Sequence, residues 1–309
     1  MTRRSGWTTS EVPDLVGRTI VVTGATSGIG LEAVRVFARR GATTILAARN
    51  ELKASEAIGS VLSDHPSAIL EFRHLDIAEL ASIHAFAEGL AADHSAIDVL
   101  VNNAGIMLVP FGHTDDGFER HFGTNHLGHF ALTGLLLDRL DAAPAARVVT
   151  VSSIAHHDAD ISFDNLQYDG REGYTPMGAY RRSKLANLLF AFELQRRLTA
   201  VRSSTISVAV HPGVSDTNLG HHLSSRWWWR IARPVASALI QSSIEGALPT
   251  LRAATDPSVE GGQFYGPTGR RETTGPPELV SATALARDPD IATRLWIESA
   301  DLTGVSYLE

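Results

Sequence analysis

Residues 18–38 constrain the fold of this chain more than any other stretch. Arg18-Thr19-Ile20-Val21-Val22-Thr23 is short, apolar and β-branched, the composition of a buried strand. It runs directly into Gly24-Ala25-Thr26-Ser27-Gly28-Ile29-Gly30, then into a helical pattern carried by Leu31, Val34, Val36, Phe37 and Ala38. A strand, a glycine-rich turn and a helix start together make a cradle for a dinucleotide pyrophosphate. Glycines let the backbone approach the phosphates, and the free N–H groups of the first helical turn face the anion. The spacing is Gly-x-x-x-Gly-x-Gly, not the commoner Gly-x-Gly-x-x-Gly. An ordinary glycine turn is the plain alternative, and the flanking strand and helix favour the cradle.

The next strand, Thr43-Thr44-Ile45-Leu46-Ala47-Ala48, ends at Arg49-Asn50. NAD-binding units place an acid about 20 residues past the glycines, where it takes the ribose hydroxyls. This strand end offers no carboxylate. A guanidinium there pairs with a 2′-phosphate, which an acid would repel. The expectation is NADP(H), with NAD(H) as the alternative if Arg49 is only a surface residue. A third strand, Ile69 to His74, leads into Leu75-Asp76-Ile77. A lone Asp at a strand end is by itself a helix cap. A fourth apolar strand runs into Asn102-Asn103-Ala104-Gly105. Small residues let a flat ring approach, and Asn side chains can tie adjacent strand ends together. Asn102 reads as structural support, and Asn103, Ala104 and Gly105 as cofactor contacts.

Tyr180 and Lys184 lie one helical turn apart, so both leave the same helix face. A phenol has an ordinary pKa of about 10 and is a poor acid or base near neutrality. A fixed ammonium beside it favours the phenolate and lowers that value. Such a pair can move a proton at working pH. Alone the pattern is weak, because a half-buried Tyr beside a solvated Lys is common.

Together these residues resemble the short-chain dehydrogenase/reductase family. The resemblance rests on Thr23-Gly24-x-x-x-Gly28-x-Gly30, Asn102-Asn103-Ala104-Gly105, Ser153, Tyr180-x-x-x-Lys184 and Pro212-Gly213, in the family's order, and covers roughly residues 15–270. It implies that Tyr180 is the general acid/base, that Lys184 tunes it and holds the nicotinamide ribose, and that Ser153 hydrogen-bonds the substrate oxygen. Asn125 matches the helix asparagine that supports a water in a proton relay. Asp76 matches the residue that contacts adenine, flanked by Leu75 and Ile77. Thr26, Ser27 and Ile29 fall in the phosphate turn, and Pro212, Gly213, Val214 and Thr217 in the segment that passes the carboxamide. Ser152-Ser153-Ile154-Ala155-His156 and Ser183-Lys184-Leu185-Ala186-Asn187 are similar to the retinol dehydrogenase and WW-domain oxidoreductase branch. The implied activity is interconversion of a carbonyl and an alcohol on a small hydrophobic molecule. A carbon–carbon double-bond reductase and a non-catalytic dinucleotide sensor remain as alternatives. Family members commonly pair through long helices such as 115–140 and 178–200, so a homodimer or homotetramer is expected.

Strands near 19–23, 43–48, 69–75, 97–102, 146–152 and 204–210 alternate with helical patterns near 29–40, 51–63, 79–93, 115–140 and 178–200. Alternation implies an α/β fold, here a single-domain Rossmann-type doubly wound parallel sheet with helices on both faces. Residues 1–14 read as an N-terminal arm over the surface and 15–309 as one dinucleotide-binding and catalytic domain. A further strand includes Gln263-Phe264-Tyr265, and a last helix falls near 288–301. Residues 218–245 read as a substrate lid. They contain Trp227-Trp228-Trp229, for which a subunit or core contact and a membrane-interface contact are the other readings.

The 309 residues carry 27 basic and 34 acidic side chains, net −7, with no basic block, which argues against a nucleic-acid surface. With no cysteine, disulfides, thiolate zinc sites and a Cys nucleophile are excluded. The histidines at 126 and 129, 156 and 157, and 221 and 222 lack partners at a usual zinc spacing, so no metal is expected. His156 reads equally as a cleft residue or a surface loop. Arg3-Arg4 has no apolar core behind it, unlike a signal peptide, and no stretch approaches the roughly 20 apolar residues of a membrane span. The expected location is cytoplasmic.

Overall fold

The computed structural model describes residues 6–214 and 241–309. Eight strands form one sheet: β1 (Thr19–Thr23), β2 (Thr43–Ala48), β3 (Ile69–His74), β4 (Val99–Asn102), β5 (Arg147–Val151), β6 (Ile206–Val210), β7 (Phe264–Pro267) and β8 (Pro277–Leu279). Their order is β3-β2-β1-β4-β5-β6-β7-β8, parallel throughout except for the antiparallel β7–β8 pair. The chain winds outward in one direction from β1 and then in the other from β4. Consecutive crossovers therefore part at the β1–β4 boundary, and a crevice opens at the carboxyl ends of these strands.

Alternation along each strand divides the core into two layers. Ile20 and Val22 of β1 face one layer with Val101 and Val149. There α1 (Gly28–Arg39) and α7 (Ser243–Thr255) pack, with Ala57 and Val61 of α2 (Glu51–Asp64). Val21, Ile45, Leu100 and Val148 face the other, against α3 (Leu80–Asp93), α5 (Gly128–Asp141) and α6 (Pro176–Ala200). Trp7, Val12 and Leu15 are buried in the first layer, so the segment expected to lie over the surface inserts apolar side chains into the core.

Helix boundaries differ from expectation where side chains cap the chain. The helix expected from 115 starts at Arg120, because His113 pairs with Glu119 across a turn held by Gly117 (φ +87°), and the Glu119 carboxylate accepts from Phe122 N. A short α4 (Arg120–Phe122) then runs through a π-helical turn, Gly123–Leu127, into α5. The stretch 156–177 forms short 3₁₀ turns, and Tyr168 is buried beneath the Arg182 guanidinium, 4.1 Å from its ring centroid. The expected lid at 218–245 lies outside the described residues up to 240, as do Trp227-Trp228-Trp229 and Thr217. Among the described residues no helix is long and apolar enough to cross a membrane.

α8 (Pro289–Thr303) and the tail beyond it cover α5 and α6. The Trp296 ring lies 5.0 Å from Phe130 and 4.7 Å from Tyr307, and it stacks on Phe190 at 5.9 Å. Every α6 residue from Ala179 to Leu194 is buried or partly buried. Trp296→Ala should lower the unfolding free energy by about 3–5 kcal/mol, read from urea midpoints.

His126 and His129, on the same side of this helix pair, are fully buried. His126 Nε2 donates to Ser299 Oγ of α8 at 2.8 Å. Burial pushes the two imidazole pKa values down to about 3 and about 4. The unfolded chain takes up protons near pH 6.5 that the folded chain refuses, so stability rises with pH through this window. As pH falls from about 6.5 towards 4, each group should cost up to about 1.4 kcal/mol per pH unit. Urea midpoints at pH 7, 6 and 5 should decline steadily, and equal midpoints would contradict neutral buried rings.

Candidate active site

The crevice at the β1–β4 boundary is the floor of a cleft of about 850 Å³. β1 ends at Thr23, and Gly24 turns the chain at φ +65°. α1 begins at Gly28 behind Ser27, whose side chain makes no capping bond, so that turn leaves its N–H groups to an anion. A Cβ at Gly30 would strike the Asn103 amide, so only glycine allows this close approach. Asn103 Nδ2 donates to Thr23 O at 2.8 Å, tying the ends of β1 and β4 together. Asn102, expected to do that work, turns away and donates to Thr133 Oγ1 of α5 at 3.0 Å. Thr26, Ser27, Gly28, Ile29, Ala104 and Gly105 line the same cleft.

The end of β2 brings Arg49 and Asn50 to the cleft rim. Asn50 caps α2, its Oδ1 accepting from Lys53 N at 2.9 Å. Lys53, in the first turn of that helix, lines the cleft as Arg49 does. Arg49 Nη1 lies 3.3 Å from Asp76 Oδ2, with the guanidinium largely exposed. Asp76 also accepts from Ala78 N at 3.0 Å, so it both caps the chain after β3 and lines the cleft between Leu75 and Ile77. Two cations at one rim, one only loosely paired, suit a phosphate.

At the other end, Thr175 caps α6 ahead of Pro176, and the helix carries Tyr180 and Lys184 one turn apart into the cleft beside Ser153. The two neighbouring serines separate cleanly. Both line the cleft, but Ser152 Oγ donates to Lys184 O at 2.7 Å and fastens β5 to α6, whereas Ser153 Oγ accepts from Ala155 N at 3.2 Å and keeps its proton for another partner. Lys184 Nζ donates to Val151 O at 3.0 Å and lies 5.9 Å from the Tyr180 ring centroid. Burial brings the Lys184 pKa down to about 8. The Tyr180 pKa departs from expectation: burial raises it, and it is the hydrogen bond with Ser153, not the ammonium, that pulls the other way. Tyr180 is therefore a phenol at neutral pH, with a proton to give.

Asn125 stands behind the cleft wall, in the π-helical turn. Its Oδ1 accepts from Ile106 N at 2.8 Å, and its Nδ2 donates to Ile106 O at 3.0 Å and Ser183 Oγ at 2.9 Å. It thus joins the strand end after β4 to α6. Pro212, Gly213 and Val214 close the cleft beyond β6, where Gln241 Nε2 donates to Pro212 O and Gln241 N to Val214 O.

Lys53, Met107 and His129 bear on the site but carry no sequence signal of their own. His129 Nδ1 donates to Asn125 O at 3.0 Å, which leaves Nε2 bare to accept from Thr23 Oγ1 at 3.0 Å. The same Thr23 oxygen accepts from Asn103 N and Ala104 N, each at 2.9 Å. A histidine four residues beyond Asn125 is the one clue the sequence held. Among the described residues no group of three or more His, Asp or Glu could hold a metal ion.

Comparison with known proteins agrees with this geometry. Residues 18–227 match the family model for short chain dehydrogenases. The chain is 40% identical to human (Homo sapiens) retinol dehydrogenase 12 over 296 residues, covering 95% of this chain and 88% of that protein. It is 40% identical to Mus musculus polyprenol dehydrogenase over 300 residues, covering 95% and 86%. An uncharacterised Mycobacterium paratuberculosis protein of known crystal structure shares 42% identity and a TM-score of 0.82, with 98% and 99% of the two chains covered. With the family model spanning most of the sheet and such relatives matching nearly end to end, the chain belongs to the short chain dehydrogenase family, on its retinol dehydrogenase branch.

Proposed function

We propose that this oxidoreductase uses NADP(H) to interconvert a carbonyl and an alcohol on a small hydrophobic molecule. The observation that carries the reading is a half-buried phenol, Tyr180, beside Ser153 and one helical turn from a buried ammonium, inside a cleft that begins at a glycine turn. When bound, the nicotinamide cofactor supplies or accepts the hydride. The glycine turn and the first turn of α1 would hold its pyrophosphate, Arg49 and Lys53 a 2′-phosphate, and Lys184 the ribose nearest the reaction. Ser153 hydrogen-bonds the substrate oxygen, and Tyr180 gives that oxygen its proton. Lys184, charged below about pH 8, stabilises the phenolate left behind. Asn125 fixes the separation of α6 and the Ile106 backbone, so that these groups meet at one point.

A hydrophobic substrate suits the apolar lining that Ile106, Met107, Ile154 and Met177 provide. The names of the retinol and polyprenol dehydrogenases support the same class of compound.

Tyr180→Phe should bind NADPH as the parent does and lose turnover by on the order of 10²–10⁴-fold across a panel of aliphatic, retinoid, steroid and quinone carbonyls. Normal turnover in that variant would sink the mechanism. Replacing both Arg49 and Lys53 by Ala should weaken NADPH binding by roughly 10–100-fold while leaving NADH within a few-fold, because only the phosphate loses its charge-assisted bonds. Equal losses for both nucleotides in a fluorescence titration would refute the assigned preference.

A further inference from the structure

Just past β7 the chain adopts two successive left-handed residues, Arg271 (φ 57°) and Glu272 (φ 56°). Neither is a residue type that favours this conformation, so surrounding contacts must hold it. Those contacts lead to the active-site cleft, although Glu272 does not line it. Glu272 Oε2 lies 3.1 Å from His211 Nε2 and 3.9 Å from His157 Nε2.

Each histidine belongs to a different wall of the cleft. His211, fully buried at the end of β6, accepts the Gly213 N–H on Nδ1 at 3.2 Å. Its ring proton is therefore on Nε2, which donates to Glu272. The residue after Glu272 continues the contact: Thr273 O accepts from Val214 N at 2.9 Å. Gly213 sits at φ +68°, and a Cβ there would strike that same carbonyl. On the β5 side, the His157 ring lies 4.1 Å from the His156 ring, and His156 Nδ1 donates to Ser153 O at 2.7 Å. Phe264 of β7 packs against both His156 and His211, at 5.6 Å and 5.3 Å between ring centroids. The groups facing the carboxylate from these elements are thus His211, His157 and His156, and the hydrogen bond from His211 holds the Glu272 pKa below the usual range.

We infer that Glu272 is a positioning residue: one carboxylate joins the strand end that carries Ser153 to the strand end that carries Pro212-Gly213-Val214. β5 and β6 pair as far as Ser152 N–Val210 O, at 2.7 Å, and beyond that last ladder bond the carboxylate holds the segment after Ser153 near the backbone that would pass the nicotinamide. The inference rests on the proposed NADP(H) site and adds to it a part that touches neither substrate nor cofactor.

Glu272→Ala and Glu272→Gln, each compared with the parent, test it. The first measurement uses the unliganded protein: hydrogen exchange at the Gly213 and Val214 amides. Glu272→Ala frees the His211 ring and should speed exchange on the order of tenfold. Glu272→Gln, whose amide oxygen still accepts from Nε2–H, should stay within about threefold. The second is NADPH affinity by fluorescence titration and kcat/KM for a reduced carbonyl; Glu272→Ala should lose about tenfold in each, and Glu272→Gln should restore both. Exchange and affinity for Glu272→Ala within about twofold of the parent would overturn the clamp, as would a lowered Tm with both left unmoved. If Glu272→Ala does not fold, Glu272→Asp, which withdraws the carboxylate by one methylene, is held to the same criteria. A parent that binds no NADPH would refute the proposed function, while amide exchange would still decide the clamp.

Discussion

The site depends on one hydroxyl. Thr23 is the last residue of β1, at the point where the sheet changes direction, and its Oγ1 accepts two backbone N–H groups from the end of β4. Asn103 N also reaches Val101 O at 3.0 Å, but Ala104 N has Thr23 as its partner, and leaving such a donor unpaired costs about 1–3 kcal/mol. Thr23 satisfies both and passes its own proton towards His129, which in turn holds the carbonyl of Asn125. The strand that carries the glycine turn and the helix turn that carries Asn125 are therefore fixed by the same two side chains. Because burial keeps His129 neutral, the network has no charge to disturb the ammonium close by.

The electrostatics of the catalytic end differ from those of an exposed Tyr–Lys pair. Lys184 is buried and Tyr180 half-buried, and burial disfavours each charged form: the phenol is pushed up and the ammonium down. Lys184 meets its solvation need through the Val151 carbonyl, which Asn187 also uses. The phenol oxygen thus keeps its proton, and the cation gains importance only once negative charge develops beside it.

Most of the framework was legible because the signals were local. The apolar β-branched runs ending in Thr23, Ala48 and Asn102, and the helix after Gly28, needed no tertiary information. β8 was not legible: it spans only Pro277–Leu279 and follows a Gly-Pro-Pro run that reads as a turn. The late start of the helix at Arg120 depended on Glu119 acting as its cap, which composition does not announce. In the site, the motif residues converge on one cleft because most of them follow the carboxyl end of a parallel strand, and those ends all open on the same edge of the sheet. What the sequence could not show is partnership at a distance. His129 with Thr23, Glu272 with His211, and Lys53 beside Arg49 are each brought together only by folding. The partner of Asn102, Thr133 of α5, is another such pairing, while Asn103 lines the cleft and also ties the ends of β1 and β4.

The π-helical turn at Gly123–Leu127 holds one residue more than an ordinary helical turn would. That surplus sets the phase between α4 and α5, and Asn125 lies within it. Removing any one of the five would regularise the hydrogen bonding yet rotate everything upstream by about 100° relative to α5. The chain thus keeps a local irregularity in its backbone so that an amide can point across to Ile106 and Ser183.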